Sequence, residues 1–137
     1  MAPAQRTASC GKVEARLRLH TGLAYLEVAE LVLDDGERDE FLNVAAGLAV
    51  LAGIAASDSI CCTRLGRRHR GEDHRGAAGL LAEATPDGKA LSTRLLRLLD
   101  IKDEAHYGIN VVATRKARDA VKSDRRLIER AGEEVER

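Results

Sequence analysis

The sequence predicts an all-α protein, an up-and-down bundle of about five helices. Three observations carry this. Hydrophobic residues make up 45% of the 137-residue chain but aromatics only 2%, so the core must be built from Leu, Ala and Val, which suits close-packed helices. Apolar residues recur at steps of three and four, and no segment sustains period-two alternation. Only two prolines occur, Pro3 and Pro86, so long helices can run uninterrupted. The length fits one domain, large enough to bury a core without staples.

Met1 to Gly11 reads as a frayed tail, leaving residues 12–137 as a single helical domain. The first helix is expected over about Lys12 to Leu33. Its stripe is Leu17, Thr21, Ala24, Val28 and Leu31, and Asp34-Asp35-Gly36 stops it. The second helix is expected over about Glu37 to Leu65. Its many Ala and Gly residues, from Ala45 to Ala56, let neighbouring backbones approach closely, and Gly66 ends it. A short third helix follows over about His74 to Ala84, with Asp73 as N-cap. Thr85-Pro86-Asp87-Gly88 breaks the chain. The fourth helix, about Lys89 to Leu99, carries Leu91, Leu95 and Leu98 on one face. The last runs from about Ile109 to Glu134. Its stripe, from Val112 to Val135, is interrupted by Asp124. Short loops between long helices imply antiparallel neighbours.

Phe41 to Ser57 is 17 residues without a charge. It falls short of the roughly 20 strongly apolar residues a membrane span needs, so it is expected to be a buried central helix, with no membrane partner. The three cysteines, Cys10, Cys61 and Cys62, do not form a disulfide framework by count and spacing. The first ten residues lack the apolar core of a signal peptide. A reducing cytoplasm is the expected compartment. Adjacent cysteines on a helix point about 100° apart, so no zinc site is expected from them. No cofactor is expected either.

Net charge is zero, which removes a global electrostatic case for nucleic acid. The distribution is uneven, however. Six acids and one Arg lie between Glu30 and Glu40, whereas Arg115 to Arg130 holds seven bases against three acids. A neutral total can hide a basic face.

Three constellations could carry chemistry. Lys102-Asp103-Glu104-Ala105-His106-Tyr107-Gly108 is a polar knot between two helices. His106 is suited to proton transfer near neutral pH, Lys102 to stabilising charge on a phosphorane, and Tyr107 to holding a phosphate or stacking on a base. The alternative is that His106 and Tyr107 tie a helix start to the core. The second constellation runs from Arg64 to Arg75. Arg64, Arg67, Arg68 and Arg70, interleaved with glycines, could grip phosphates through forked hydrogen bonds, and His69 and His74 add proton-transfer groups. The alternative is a solvated charged loop. The third is Asp58, alone in the apolar second helix, which must find a buried partner. Lys102 or His106 would bring it to the polar knot.

These residues together resemble a HEPN domain, the small all-helical domain found beside nucleotidyltransferases and in toxin–antitoxin systems. The resemblance spans roughly Val13 to Val135. It rests on the Ala-rich helix from Val44 to Cys62, on Gly66 followed by the basic loop to His74 and then Leu80-Leu81, and on Ala105-His106-Tyr107-Gly108 before the last long helix. It implies a homodimer, and in catalytic members a metal-independent ribonuclease using Arg, four to six residues, then His. Here Lys102 stands in place of that Arg, and three residues separate it from His106. Arg64 with His69, and Arg68 with His74, meet the spacing in the earlier loop. The expected function is therefore a HEPN-like module binding RNA, a nucleotide or a cognate protein partner. The alternatives are an endoribonuclease, such as a toxin component, that attacks through the RNA 2′-hydroxyl, and a purely structural oligomerisation domain.

Overall fold

The Ala-rich segment forms the central element of an all-α helical bundle. In the computed structural model, which describes residues 6–34 and 38–137, helix α2 (Asp39–Leu65) contacts every other helix. These are α1 (Lys12–Asp34), α3 (Arg75–Ala84), α4 (Gly88–Asp100), α5 (Lys102–Tyr107) and α6 (Thr114–Val135). Among the described residues α2 is long and apolar enough to cross a membrane, but 83% of its most apolar window is buried inside the bundle. Its small residues explain how. Ala45, Ala46, Ala49, Ala52, Ala55 and Ala56 are fully buried, which brings neighbouring backbones close on several sides. Gly66, at φ 69°, ends the helix in the left-handed region, and its N–H bonds the Cys62 carbonyl at 3.2 Å.

Helix α1 corrects an expectation. It docks on α2 through Ala15, Gly22, Leu26 and Ala29, while Leu17, Ala24, Val28 and Leu31, from the expected core stripe, face outward. The helix thus carries two apolar stripes. The inner one wins because its small residues, Ala15, Gly22 and Ala29, recur every seven positions and fit the Ala-rich surface of α2. A Cβ at Gly22 would lie 3.1 Å from the Ala55 Cβ and 2.8 Å from Ile128 Cδ1, so no larger side chain fits there without movement.

The N-terminal expectation is also corrected. Thr7–Ser9 is not a frayed end but strand β1, antiparallel to β2 (Arg67–His69), with Thr7 opposite His69 and Ser9 opposite Arg67. Cys10 is disulfide-bonded to Cys62, the Cα atoms 5.2 Å apart. The strand pairing brings Cys10 beside the end of α2, which the linear spacing of the cysteines conceals. This bond removes the cysteine-based ground for expecting a reducing compartment. Cys61 is buried with a free thiol that burial pushes up to about 12, so it is inert as a nucleophile. Residues 1–5 of the expected tail, and residues 35–37 at the expected first helix stop, lie outside the described residues.

The remaining elements follow the sequence more closely. His74 rather than Asp73 stands at the N-cap of α3, and Asp73, one residue earlier, accepts a hydrogen bond from the Arg75 N–H at 3.1 Å. At the Thr85–Gly88 break, Asp87 accepts a forked hydrogen bond from Arg130 of α6 at 2.9 and 3.1 Å. In α4, Leu91, Leu95 and Leu98 are buried on the expected face. The last helix starts at Thr114 rather than near Ile109. Asn43 ties the preceding segment to α2 by accepting the Val112 N–H at 2.6 Å and donating to the Asn110 carbonyl at 3.1 Å. The polar knot, expected between helices, is itself the short helix α5.

Candidate functional site

Asp58 sits near the end of α2 and is only 7% exposed. Its partner is Arg18 of α1, whose Nε donates at 3.1 Å, and neither Lys102 nor His106. Burial raises the Asp58 carboxyl above its usual range, although Arg18 and Arg68 pull it back down. The pair forms one wall of a cavity of about 450 Å³. Glu14 and Leu17 of α1, Ile54 of α2 and His74 at the start of α3 also line it. The opposite wall is Arg68, His69, Arg70 and Gly71.

That wall is placed by the small sheet. The Arg70 N–H bonds the Arg6 carbonyl at 2.9 Å, and the Cys10 N–H bonds the Gly66 carbonyl at 3.0 Å. Strand β1 and the Cys10–Cys62 bond therefore clamp both ends of the segment that carries Arg68 and His69. The His69 ring is packed over Gly76, where a Cβ would lie 2.5 Å from Cε1. Both His69 ring nitrogens are buried without a hydrogen-bond partner. Buried polar atoms are normally satisfied, so the ring, set between Gly71 and Gly76, is an unusual polar group in the cavity wall. The His69 and His74 rings lie 6.5 Å apart. Burial, and then the positive charge of Lys102, hold His74 below the usual imidazole value, so it is neutral at pH 7 and can accept a proton.

His74 also opens onto a second, smaller cleft of about 160 Å³, shared with Arg75, Leu99, Lys102 and Asp103. Lys102 therefore belongs beside His74. His106 does not reach this region. One of its ring nitrogens lies 3.1 Å from the Gly47 carbonyl, and Gly47 precedes Asp58 by about 16 Å along α2. A Cβ at Gly47 would lie 2.7 Å from the His106 ring, so the contact depends on glycine there. His106 tethers α5 to α2. Tyr107 is 76% exposed, edge-on to His106.

The arginine loop divides in the same way. Arg68, Arg70 and His74 line the cavity. Arg64 turns away, donating to the Ala84 carbonyl at 3.2 Å and to buried Glu134 at 3.4 Å, and it braces the bundle. Arg67, on the same short strand as Arg68, is exposed and does not line the cavity. Glu14, Leu17 and Arg18 are not legible as site residues in the sequence. Glu14 and Arg18 do share one helix face at i, i+4 spacing, and a buried Asp58 requires a cation, so Arg18 carries a faint signal.

Chemically, the cavity offers three guanidiniums against the Glu14 and Asp58 carboxylates, two imidazoles, and Lys102 next door. Such a set has the chemistry to hold an oxyanion and to move a proton. Among the described residues no group of three or more His, Cys, Asp or Glu side chains is gathered to hold a metal ion. No family model matches the chain, and no curated protein matches it.

Proposed function

We propose that the protein is an RNA-binding module of HEPN-like type that grips a phosphate in the cavity between α1, β2 and α3. The observation that supports this most is the convergence of Arg18, Arg68, Arg70, His69 and His74 on one cavity. Guanidiniums suit phosphate through forked, charge-assisted hydrogen bonds. The test is fluorescence anisotropy with labelled single-stranded RNA at low salt. Arg68→Ala and Arg70→Ala should each weaken binding about tenfold, the worth of a charge-assisted hydrogen bond. Affinity should fall steeply with salt. Unchanged affinity in the double variant would overturn the reading.

One observation favours a catalytic version: His74 is held neutral beside Lys102. In that reading His74 takes the 2′-hydroxyl proton, the 2′-oxygen bonds to phosphorus, and the P–O5′ bond breaks. The 5′-oxygen takes its proton from the Lys102 ammonium. Cleavage in EDTA should leave 2′,3′-cyclic phosphate ends, and its rate should rise with pH through a midpoint below the ordinary imidazole value of about 6.5. His74→Ala should abolish it, and intact RNA after prolonged incubation would sink it.

The outward stripe of α1 favours a homodimer. Leu17, Val28 and Leu31 are exposed, and Val44 and Leu51 of α2 are exposed as well. Exposed apolar residues repeating at steps of three and four suit a seam against a second copy. Leu17 also lines the cavity, so this seam would begin at the mouth of the site. Sedimentation velocity should show a dimer that Val28→Glu with Leu31→Glu converts to a monomer. A wild-type monomer at high concentration would refute it.

A further inference from the structure

A second concave surface, apart from the histidine cavity, is a groove of about 680 Å³ between α4 and α6. Buried Leu98, Ile101 and Ala120 form its floor. Arg94 and Arg97 flank it from α4, and Lys116, Lys122 and Arg126 from α6. Only two acids, Asp100 and Asp119, join these five bases, although the whole chain has equal numbers of both signs. Asp100 is already held by Arg75 at 2.6 Å. Lys116 pairs with Glu104 at 3.0 Å and Arg126 with Glu129 at 3.6 Å, both at exposed sites where such pairs are weak. Arg94, Arg97 and Lys122 have no ion-pair partner among the described residues.

The groove adjoins the candidate site. Along the end of α4, Asp100 and Ile101 face the groove, whereas Leu99, Lys102 and Asp103 face the small cleft. That cleft shares His74 with the cavity, and the Arg75–Asp100 ion pair bridges the cleft and the groove. Cavity, cleft and groove thus run on from one another around the end of α4.

We infer that the α4–α6 groove is a second RNA-binding stretch, and that one single strand runs from the His69–His74 cavity over the end of α4 into it. The inference rests on the phosphate-binding reading of the cavity. Arg94 and Arg97 are about one helical turn apart, as are Lys122 and Arg126, with Lys116 about 9 Å further along α6. Two cationic rims over an apolar floor match a strand with phosphates outside and unpaired bases lying flat, with guanidiniums stacking on them. A duplex keeps its bases stacked and cannot use that floor.

The test uses labelled oligouridylates of about 3 and about 10 nucleotides, the longer within the roughly 4–16 nucleotides that single-strand sites span and the shorter below it. Arg94→Ala with Arg97→Ala and Lys122→Ala should weaken the long oligomer tenfold or more. It should lower its log–log salt slope by about 2, since each of three lost phosphate contacts is worth roughly 0.7. The short oligomer, which only fills the cavity, should bind as before. An unaffected long oligomer overturns the inference, as does an equal loss for both lengths. Displacement of the long RNA by polyglutamate as readily as by unlabelled RNA also overturns it, because the groove would then take any polyanion. Arg68→Ala with Arg70→Ala separates the two readings. If that variant binds both oligomers normally while the groove variant loses the long one, the cavity reading and the continuous track both fall, and only an isolated groove is left.

Discussion

Replacing Asp124 with Asn tests how the core of this bundle tolerates a carboxyl group. Asp124 lies on the inner face of α6, fully buried, with neither carboxyl oxygen hydrogen-bonded. Its Oδ1 faces Gly53 of α2, 3.7 Å from where a Cβ would stand. Burial alone pushes its carboxyl up to about 9. The sign follows directly. The folded protein holds this proton up to about pH 9, whereas the unfolded chain releases it near about pH 4. Between those values the unfolded state binds fewer protons, so stability falls as pH rises, by about 1.4 kcal/mol per unit. From pH 5 to pH 8 the loss attributable to Asp124 is about 4 kcal/mol, a large share of a typical domain's roughly 5–15 kcal/mol. The amide of the Asp124→Asn variant is neutral throughout. Urea unfolding at pH 5 and pH 8 gives the readout, as the difference between wild type and Asp124→Asn. Asp58 is also raised by burial, but both proteins share it and it cancels. The variant should be close to wild type at pH 5 and markedly more stable at pH 8. Parallel pH profiles would refute the reasoning and mean that Asp124 is compensated.

Asp87 gives the opposite sign. Hydrogen bonds from Arg130 and then Thr85 hold its carboxyl down at about 2, so its contribution is present above about pH 4 and lost as pH falls through about 2. The Asp87 side chain is 46% exposed, so solvent screening limits the cost of Asp87→Asn at pH 7 to about 1 kcal/mol, and an unchanged urea midpoint would refute it. Reducing Cys10–Cys62, a bond spanning 52 residues, should cost about 4 kcal/mol by loop entropy. It should also weaken RNA binding by releasing β1 from the strand that carries Arg68 and His69; calorimetry and anisotropy with and without a dithiol check both. Gly22→Ala should destabilise by about 1–3 kcal/mol through overpacking against Ala55 and Ile128, and a neutral result would show that Ile128 yields freely. Gly47→Ala should displace His106 from the Gly47 carbonyl without changing RNA affinity, and a loss of affinity would bring His106 back into the site.

How much of this is readable from the sequence depends on whether a feature is local. The Leu91, Leu95 and Leu98 face of α4 and the small residues of α2 each state their role within a few turns, and both are found where expected. Thr7–Ser9 is too short for alternation to register, so β1 is hidden. The partner of Asp58 lies 40 residues away on α1. Charge alone requires a cation but cannot choose among Arg18, Lys102 and His106. Arg68, Arg70 and His74 are visible as a dense basic loop. Arg64 looks identical in sequence, and only its contacts with Ala84 and Glu134 set it apart.

Helix α1 shows why pattern and packing can diverge. Periodicity identifies Leu17, Thr21, Ala24, Val28 and Leu31 as one stripe, and that stripe exists. The second stripe, through Ala15, Gly22, Leu26 and Ala29, is less hydrophobic yet is the one buried. Against a surface as smooth as α2, close approach outweighs side-chain bulk, because dispersion contacts fade within about an ångström of separation. The bulkier stripe is then left for solvent or a partner. The same competition places the polar residues. Gly47 and Gly76 leave room for imidazole rings, one tied to α2 and one packed into the cavity wall. Small residues thus decide which of two similar histidines reaches the candidate site.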